Sequence, residues 1–558
     1  MNYSKPFQKF KRAVYLELQF KVIEMNVGFT NTIKLSLNFK FNFLEKLIEK
    51  LKTIKEELYI DNDLLFVLTY MTSISTAHLS RDKLFEMVSE KKEYFSSKYF
   101  KKVLNLTKNW HYDYATACKV IARKIRNEKV KRLFNRLANA ISTGEPDREV
   151  LKNEWTVFKT VRKDEYMRCL ESLRKWADAY TSILVSVTLI SVVIILAAMI
   201  YKSEDPFLTF FMAALASFVS SMFGVFMLFK SAPKDPKTHN LSIKSKEQRL
   251  ISKLSPILLP IALASLIFLT IIPIALDLNL GPKGLGLVIF GLIILPLGII
   301  GKIDDKKINK RDEAFTGFIR SLGVIISGTG VSIAKALSKI DQRNLGELKD
   351  LVLQLHRRLS LGLNPKLCWE KFVGESGSYL IYKLTSIFVD ATDMGGDADA
   401  IGEIVSSSNL EMVLLRLKRE LISSGFVNLL IPLHTAMVGL ILFITQIITK
   451  FKTLMSMMFV AQLGTLESPN VLYRVPISGL NINLFGEIPI DLLNKYSLAM
   501  ILILIFVNTI ASKVVKGGAN YLIYYYGSIL SIVSGLLMAV VPPAINWFFS
   551  LPSFVGGE

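Results

Sequence analysis

Seven apolar stretches, each near the ~20 residues needed to cross a hydrocarbon core, dominate the chain: 179–201, 207–229, 254–276, 284–301, 425–449, 497–512 and 519–541. Those at 284–301 and 497–512 sit at the short limit. The intervening segments are basic, and the whole chain carries a net charge of +21 with 51% hydrophobic and 21% charged residues. Strong apolarity and strong charge coexist only when they are segregated along the chain, so the sequence predicts an all-α polytopic membrane protein. Prolines within the stretches (Pro260, Pro273, Pro296, Pro432) are compatible with helices packed in lipid. No clean apolar core opens the chain, so insertion is expected to rely on the internal spans.

Lysine and arginine bias orients the spans. Residues 1–178, the link carrying Lys230, Lys234, Lys237, Lys244, Lys246, Arg249 and Lys253, and residues 302–422 are basic and are expected inside, as are Lys513 and Lys516. The links at 202–206 and Asp277–Lys283, the loop 450–496 and the C-terminus are expected outside. The domain plan is a basic extension (1–62), a first cytoplasmic helical domain (63–178), a transmembrane hairpin (179–229), a basic link (230–253), a second hairpin (254–301), a second helical domain (302–422), a single span (423–449), the external loop, and two final spans (497–549).

Both soluble segments have apolar residues at three- and four-residue spacing, which predicts amphipathic helices. In the second, breaks fall at Gly328–Gly330, Gly362–Pro365, Gly374–Gly377 and Gly395–Gly396. The two segments also align at an offset of about 251 residues, with LFNRLANAISTGEP (133–146) over LTSIFVDATDMGGD (384–397) and Gly144 on Gly395. The expected unit is a helical bundle followed by membrane, present twice.

Candidate functional residues are few. Small residues recur every four positions at Ala213, Ser217 and Ser221 and again at Gly527, Ser531, Gly535 and Ala539, a pattern that lets helix backbones approach within one bundle or across a homodimer seam. Arg123, Lys124, Arg126, Lys129, Lys131, Arg132 and Arg136 form a basic run that is either a solvated helix face or a docking surface for an acidic partner or anionic lipid. Asp390, Asp393, Asp397 and Asp399 surround a glycine break and read as helix caps or as a partner surface; they lack the ligand spacing of a calcium loop. His434 is the lone ionisable group inside a span and reads as a hydrogen-bonded packing residue. The empty membrane interior argues against an ion-coupled transporter or channel, and no paired constellation supports an intramembrane enzyme. Cys118, Cys169 and Cys368 match no metal or disulfide pattern, and GTGVSIAK (328–335) lacks phosphate-loop spacing, so no cofactor, metal or catalytic residue is expected. No aromatic platform accompanies the basic residues, which argues against nucleic acid.

IISGTGVSIAKALSKI (325–340), LSLGLNPKLCWEKF (359–372) and DATDMGGDADAIGEI (390–404), within a repeated bundle-then-membrane unit, resemble the type II secretion F domain of pilus, secretion and archaellum platform proteins. The additional hairpins between the domains and the outer loop are similar to the archaeal branch of that family. What the resemblance implies is a non-enzymatic platform in an archaeal cell membrane for a type IV pilus-like filament, the archaellum first and an adhesion pilus or secretion system second. It also implies a cytoplasmic hexameric secretion ATPase and pilin-like or archaellin subunits as partners, and a homodimer. The basic run and the acidic turn are then the expected ATPase-docking surfaces.

Overall fold

The computed structural model describes residues 60–200, 205–276, 284–464 and 490–549. Most of the 1–62 extension, most of the links at 202–206 and 277–283, and much of the loop 450–496 lie outside them. The chain divides into Met1–Ile60 and Asp61–Glu558, and the elements below belong to the second unit.

The first helical region begins with α1 (61–74). It continues through α2 (Arg81–Glu90), α3 (Ser97–Trp110), α4 (Tyr114–Lys124) and α5 (Glu128–Thr143) into α6 (Asp147–Ile200). Local chemistry sets the boundaries. The Asp113 side chain accepts from Thr116 N and starts α4, while Asn127 accepts from Lys129 N and Val130 N and starts α5. Gly144, at φ 74°, ends α5 in the left-handed conformation that glycine adopts without penalty. No such break interrupts α6, whose 54 residues span about 80 Å and join a charged, bundle-packed part to an apolar one.

Next come α7 (Pro206–Ser231), capped by Asp205, and α8 (Lys246–Ala275), which takes a π turn at Ile267–Ile271 just before Pro273. Helix α9 (Leu285–Thr329) runs 45 residues out of its apolar stretch into the second helical region. That region continues as α10 (Ile333–Lys339), a 3-10 segment (Gln342–Leu348), α11 (Lys349–Ser360), α12 (Pro365–Ser376) and α13 (Tyr379–Asp393). It then enters the 67-residue α14 (Ala398–Gly464). Helices α15 (Ile490–Lys516) and α16 (Leu522–Phe548) complete the described fold.

Seven of these helices (α6, α7, α8, α9, α14, α15, α16) are long and apolar enough to cross a membrane. The two stretches that look short in the sequence belong to helices of 45 and 27 residues, so their apolar windows are short but the helices are not. Among the described residues every named element is helical, with one isolated bridge between Thr238 and Ser378.

Positions 251 residues apart take the same structural role. Asp113 and Asn364 are N-caps, as are Asn127 and Ser378. His111 and Gly362 are left-handed, as are Gly144 and Gly395, and α6 and α14 begin at Asp147 and Ala398. The two regions pack together through Trp155 Nε1, which donates to Ser408 Oγ at 3.1 Å, and through Lys159 Nζ, which donates to Ser407 Oγ at 2.8 Å. The Phe66 and Tyr379 rings meet edge to face, and Lys383 pairs with Glu93 at 3.1 Å.

In the apolar part α6, α7, α14, α15 and α16 share one core, in which Tyr180, Leu184, Leu430, Val438, Ile441, Ile501 and Leu504 are buried. Helix α15 is central, with 61% of its apolar window buried, and α8 is peripheral at 22%. Helix α9 lies along α16 at backbone contact. A Cβ on Gly298 would fall 2.6 Å from Tyr525 Cα, and one on Gly291 would fall 2.8 Å from the Ser528 carbonyl oxygen.

Candidate functional site: a buried charge junction between two opposed faces

Where the helical regions meet the apolar bundle, the chain must bury polar backbone from the link after α7. No helix or strand runs through Pro233 and Pro236, so their carbonyls need donors from elsewhere. Two arginines of α14 supply them. Arg419 Nη1 donates to the Pro233 carbonyl at 2.8 Å, while its other nitrogens donate to the Val514 and Val515 carbonyls at 2.8 and 3.2 Å. It thereby closes the C-terminus of α15, where cations are favoured. Arg416 donates to the Pro236 carbonyl at 3.0 Å and pairs with Asp235 at 2.6 Å and with Asp312 of α9 at 2.7 Å. Beside them Lys237 pairs with Asp305 at 2.7 Å, and Asp304 accepts from Ser245 at 2.9 Å, from Gln248 at 3.1 Å and from Tyr521. A cavity of about 30 Å³ opens among Asp235, Lys237, Asp305, Arg416, Arg419 and Lys516. One cluster thus joins the α7–α8 link, α9, α14 and the α15–α16 turn.

Two carboxylates share the Arg416 guanidinium, and they differ. Burial would raise Asp235, but Arg416, held through two hydrogen bonds, outweighs it and keeps the carboxyl below its usual range. Burial prevails at Asp312 and pushes it up to about 6 from 3.8. A carboxyl raised on folding binds its proton more tightly in the folded state. Its contribution to stability is therefore full below pH ~4 and is lost as pH rises through about 6. Asp312→Asn is expected to remove a fall of about 2–3 kcal/mol across that window, and Asp235→Asn is not. Thermal unfolding of the purified chain in detergent from pH 4 to 7 measures it; an unchanged slope in Asp312→Asn contradicts the assignment.

A second polar chain lies inside the apolar bundle. Tyr180 OH donates to Asn508 Oδ1 at 2.7 Å, and Asn508 Nδ2 donates to His434 Nδ1 at 2.9 Å. Because Nδ1 accepts, the neutral ring carries its proton on Nε2, which donates to Ser534 Oγ at 2.8 Å. Four helices (α6, α15, α14, α16) are pinned through His434. Asn508→Leu strands two partners and is expected to cost about 1–2 kcal/mol, more than Ser534→Ala at ~0.6 kcal/mol. Unfolding titrations of the two variants check the order.

The residues singled out in the sequence are distributed over two ends of the helical regions. Lys129 pairs with Asp61 at 2.7 Å and with Glu165 of α6 at 2.6 Å, and Ser172 of α6 bonds Ser231 at the end of α7 at 3.2 Å. The α4–α5 turn therefore lies at the membrane-facing end. Helix α5 runs away from it, and Gly144 and the start of α6 lie at the far end, with Arg81 paired to Asp147 at 2.8 Å. Arg123, Lys124, Arg126 and Arg132 are exposed and form no ion pair among the described residues, whereas Lys131 pairs with Glu128 and Arg136 with Glu154.

The acidic turn lies at the far end of the second region. Asp397 caps α14, accepting from Asp399 N at 3.1 Å and from Ser327 Oγ at 3.2 Å. Asp390 pairs with Lys91, and Asp393 is exposed with its pKa raised, by partial burial first and then by Asp390. The basic run's membrane-facing members and the acidic turn are not brought together. Helix α5 alone puts about 24 Å between their two levels.

Ala213, Ser217 and Ser221 are buried within the chain, as are Ser531 and Gly535, while Gly527 faces Thr509 of α15 and Ala539 is half-buried. Cys118 and Cys368 are buried and Cys169 is exposed; burial pushes the Cys118 thiol up to about 12. Among the described residues no group of three His, Cys, Asp or Glu side chains could hold a metal ion.

Sequence reasoning passed over the junction. Positive charges dominate the link 230–253, and the usable signal there is Asp235 between two prolines. Sequence reasoning also passed over the far-end apolar pairs. Trp110 and Tyr112 flank the left-handed His111, and Leu361 and Leu363 flank Gly362, 251 positions on. Trp110 is 72% exposed and Leu361 78%, unusual for side chains of that size.

Residues 67–195 and 318–449 each match the family model described as type II secretion system (T2SS), protein F, and the two matches begin 251 residues apart. The chain is similar to Flagella accessory protein J of Methanocaldococcus jannaschii, with 26% identity over 369 residues, 64% of this chain and 64% of that protein. It is also similar to Flagella accessory protein J of Methanococcus voltae, with 23% identity over 351 residues, 62% of each. The chain thus spans somewhat under two thirds of the relatives' length. No solved structure matches it.

Proposed function

We propose that this chain, with seven helices able to cross a membrane and two segments that match the type II secretion system protein F model, is the assembly platform of an archaeal type IV pilus-like filament, the archaellum above other filaments. The observation that carries this reading is the pair of F-type segments, each continuous with a helix long and apolar enough to cross a membrane, the second also locked to the bundle through the Arg416 junction. The similarity to two proteins named Flagella accessory protein J favours the archaellum. In this reading the two helical regions, the link after α7 and the α15–α16 turn lie in the cytoplasm and the C-terminus lies outside, an orientation that the lysine and arginine bias supports. The chain works as a homodimer around which pilin-like subunits leave the bilayer.

A cytoplasmic hexameric ATPase docks on the far face, at the end of the helical regions where Trp110, Tyr112, Leu361, Leu363, Asp393 and Asp399 are all exposed. Force applied there passes down α6 and α14, two unbroken helices, and rocks or turns the bundle. This face keeps the acidic turn among the docking surfaces expected from the sequence and assigns the membrane-facing members of the basic run another role. Co-purification of the ATPase with the detergent-solubilised chain is expected to be lost in Trp110→Glu with Leu361→Glu and retained in Arg123→Glu. Full retention in the double variant contradicts the docking face.

A further inference from the structure

The membrane-facing ends of the two helical regions are finished differently. In the second, the end is covered by the chain itself: a Cβ on Gly374 would meet Ile243 at 2.5 Å, one on Gly377 would meet Gln248 at 2.7 Å, and Tyr379 N donates to the Lys237 carbonyl at 3.0 Å. The equivalent positions of the first region, 251 residues earlier, are Arg123 and Arg126. Both are exposed, as is Lys124 between them, while Ile125 is buried and holds the turn in place. No described segment covers them, and none of the three forms an ion pair among the described residues.

Three constraints narrow what this end meets. Its height is set by the Lys129–Glu165 pair, 14 residues or about 21 Å along α6 from the start of the apolar stretch at 179, and by the Ser172–Ser231 bond seven residues below Glu165. Along that interval α6 adds the exposed Arg168, Arg174 and Lys175 against the exposed Glu171 and Asp178, which leaves it basic on balance. Extended arginine and lysine side chains reach several ångströms from the backbone. The charges therefore come within about one screening length, ~8 Å at physiological salt, of a headgroup layer. The sign of the charge selects the partner, because basic side chains next to a bilayer are attracted to anionic headgroups and not to neutral ones.

We propose that Arg123, Lys124 and Arg126, with Arg168 beneath them, bind the phosphate headgroups of anionic lipids. The bilayer thereby closes the end of the first helical region that the link after α7 closes in the second. The proposal goes beyond the platform reading and does not depend on it, since it requires only that α6 enter a bilayer.

Hydrogen exchange over residues 119–132 tests it, using the full chain in nanodiscs of phosphatidylcholine alone or with about 30% phosphatidylglycerol. Amides of the α4–α5 turn are expected to exchange about fivefold or more slowly in the phosphatidylglycerol discs at low salt, with the difference lost at 0.5 M salt, as for surface electrostatics generally. Arg123→Gln, Lys124→Gln and Arg126→Gln together should abolish the difference, while Arg123→Lys with Arg126→Lys should keep it. The salt titration on the unaltered chain stands even if the triple variant folds poorly. Equal exchange in both discs overturns the proposal and leaves an acidic protein as the ligand of this end. A difference that persists at high salt or in the triple variant overturns it as well.

Discussion

Replacing Arg416 with alanine is expected to lower the unfolding free energy by about 3–5 kcal/mol, the largest loss expected from any single side chain outside the apolar bundle. The cost is not the value of an attractive pair. Removing the guanidinium leaves Asp235 buried without the cation that holds it ionised, pushes Asp312 further toward its protonated form, and strips the Pro236 carbonyl of its donor. Removing the charges together therefore undoes most of the damage. Arg416→Met with Asp235→Asn and Asp312→Asn should recover well over half of the lost stability, because a neutral cluster of similar volume carries no unpaired charge. Arg123→Ala, at an exposed position, should change stability by less than about 0.5 kcal/mol. Chemical unfolding in mixed micelles, followed by helix content, measures all three. A triple variant no more stable than Arg416→Ala contradicts the account.

Gly298→Ala is the second large expectation, with a cost of about 1–3 kcal/mol or more for a single methyl group. The added carbon would lie 2.6 Å from Tyr525 Cα and 2.7 Å from Tyr525 N, backbone atoms that cannot rotate out of the way. Helix α9 must then move off α16, and every contact along that seam loosens. Gly291 faces the same limit one heptad away, against the Ser528 carbonyl and Ile532. Gly317, on the same helix, has nothing within 4 Å of its would-be Cβ. Gly317→Ala should therefore stabilise by up to about 1 kcal/mol through helix propensity alone. Opposite signs for the same substitution on one helix separate packing from propensity. Destabilisation by both, or by neither, contradicts the seam.

The legible parts of this molecule were those written over a short stretch of chain. Spans are contiguous runs of apolar residues, and the turns at Gly330, Gly362, Gly377 and Gly395 announce themselves because each takes a positive φ. The 251-residue correspondence was visible in a fragment, and caps such as Asp113 and Asn364 then carry it through the fold. The seam on α9 is less legible because its glycines recur every seven residues (Gly284, Gly291, Gly298) and not every four. The junction is obscured for a different reason. Asp235, Asp312 and Arg416 lie 77 and 104 residues apart along the chain, and a charge count cannot tell a solvated lysine from one paired with Asp305.

The candidate docking residues were found as two local clusters, and alternating helix direction then placed them at opposite ends. The small-residue stripes at Ala213–Ser221 and Gly527–Ala539 illustrate the remaining ambiguity of sequence. The pattern states that something packs closely, and only the fold says that the neighbours include Thr509 and Val288 of the same chain.

The central claim, that this chain is the platform on which a filament is built, is tested most directly by deleting its gene and imaging the cells by electron microscopy, with complementation by the intact chain. The account predicts that one class of surface filament disappears while its subunits remain in the membrane, and that the intact chain restores it. Filaments of every class persisting in the deletion strain would contradict it.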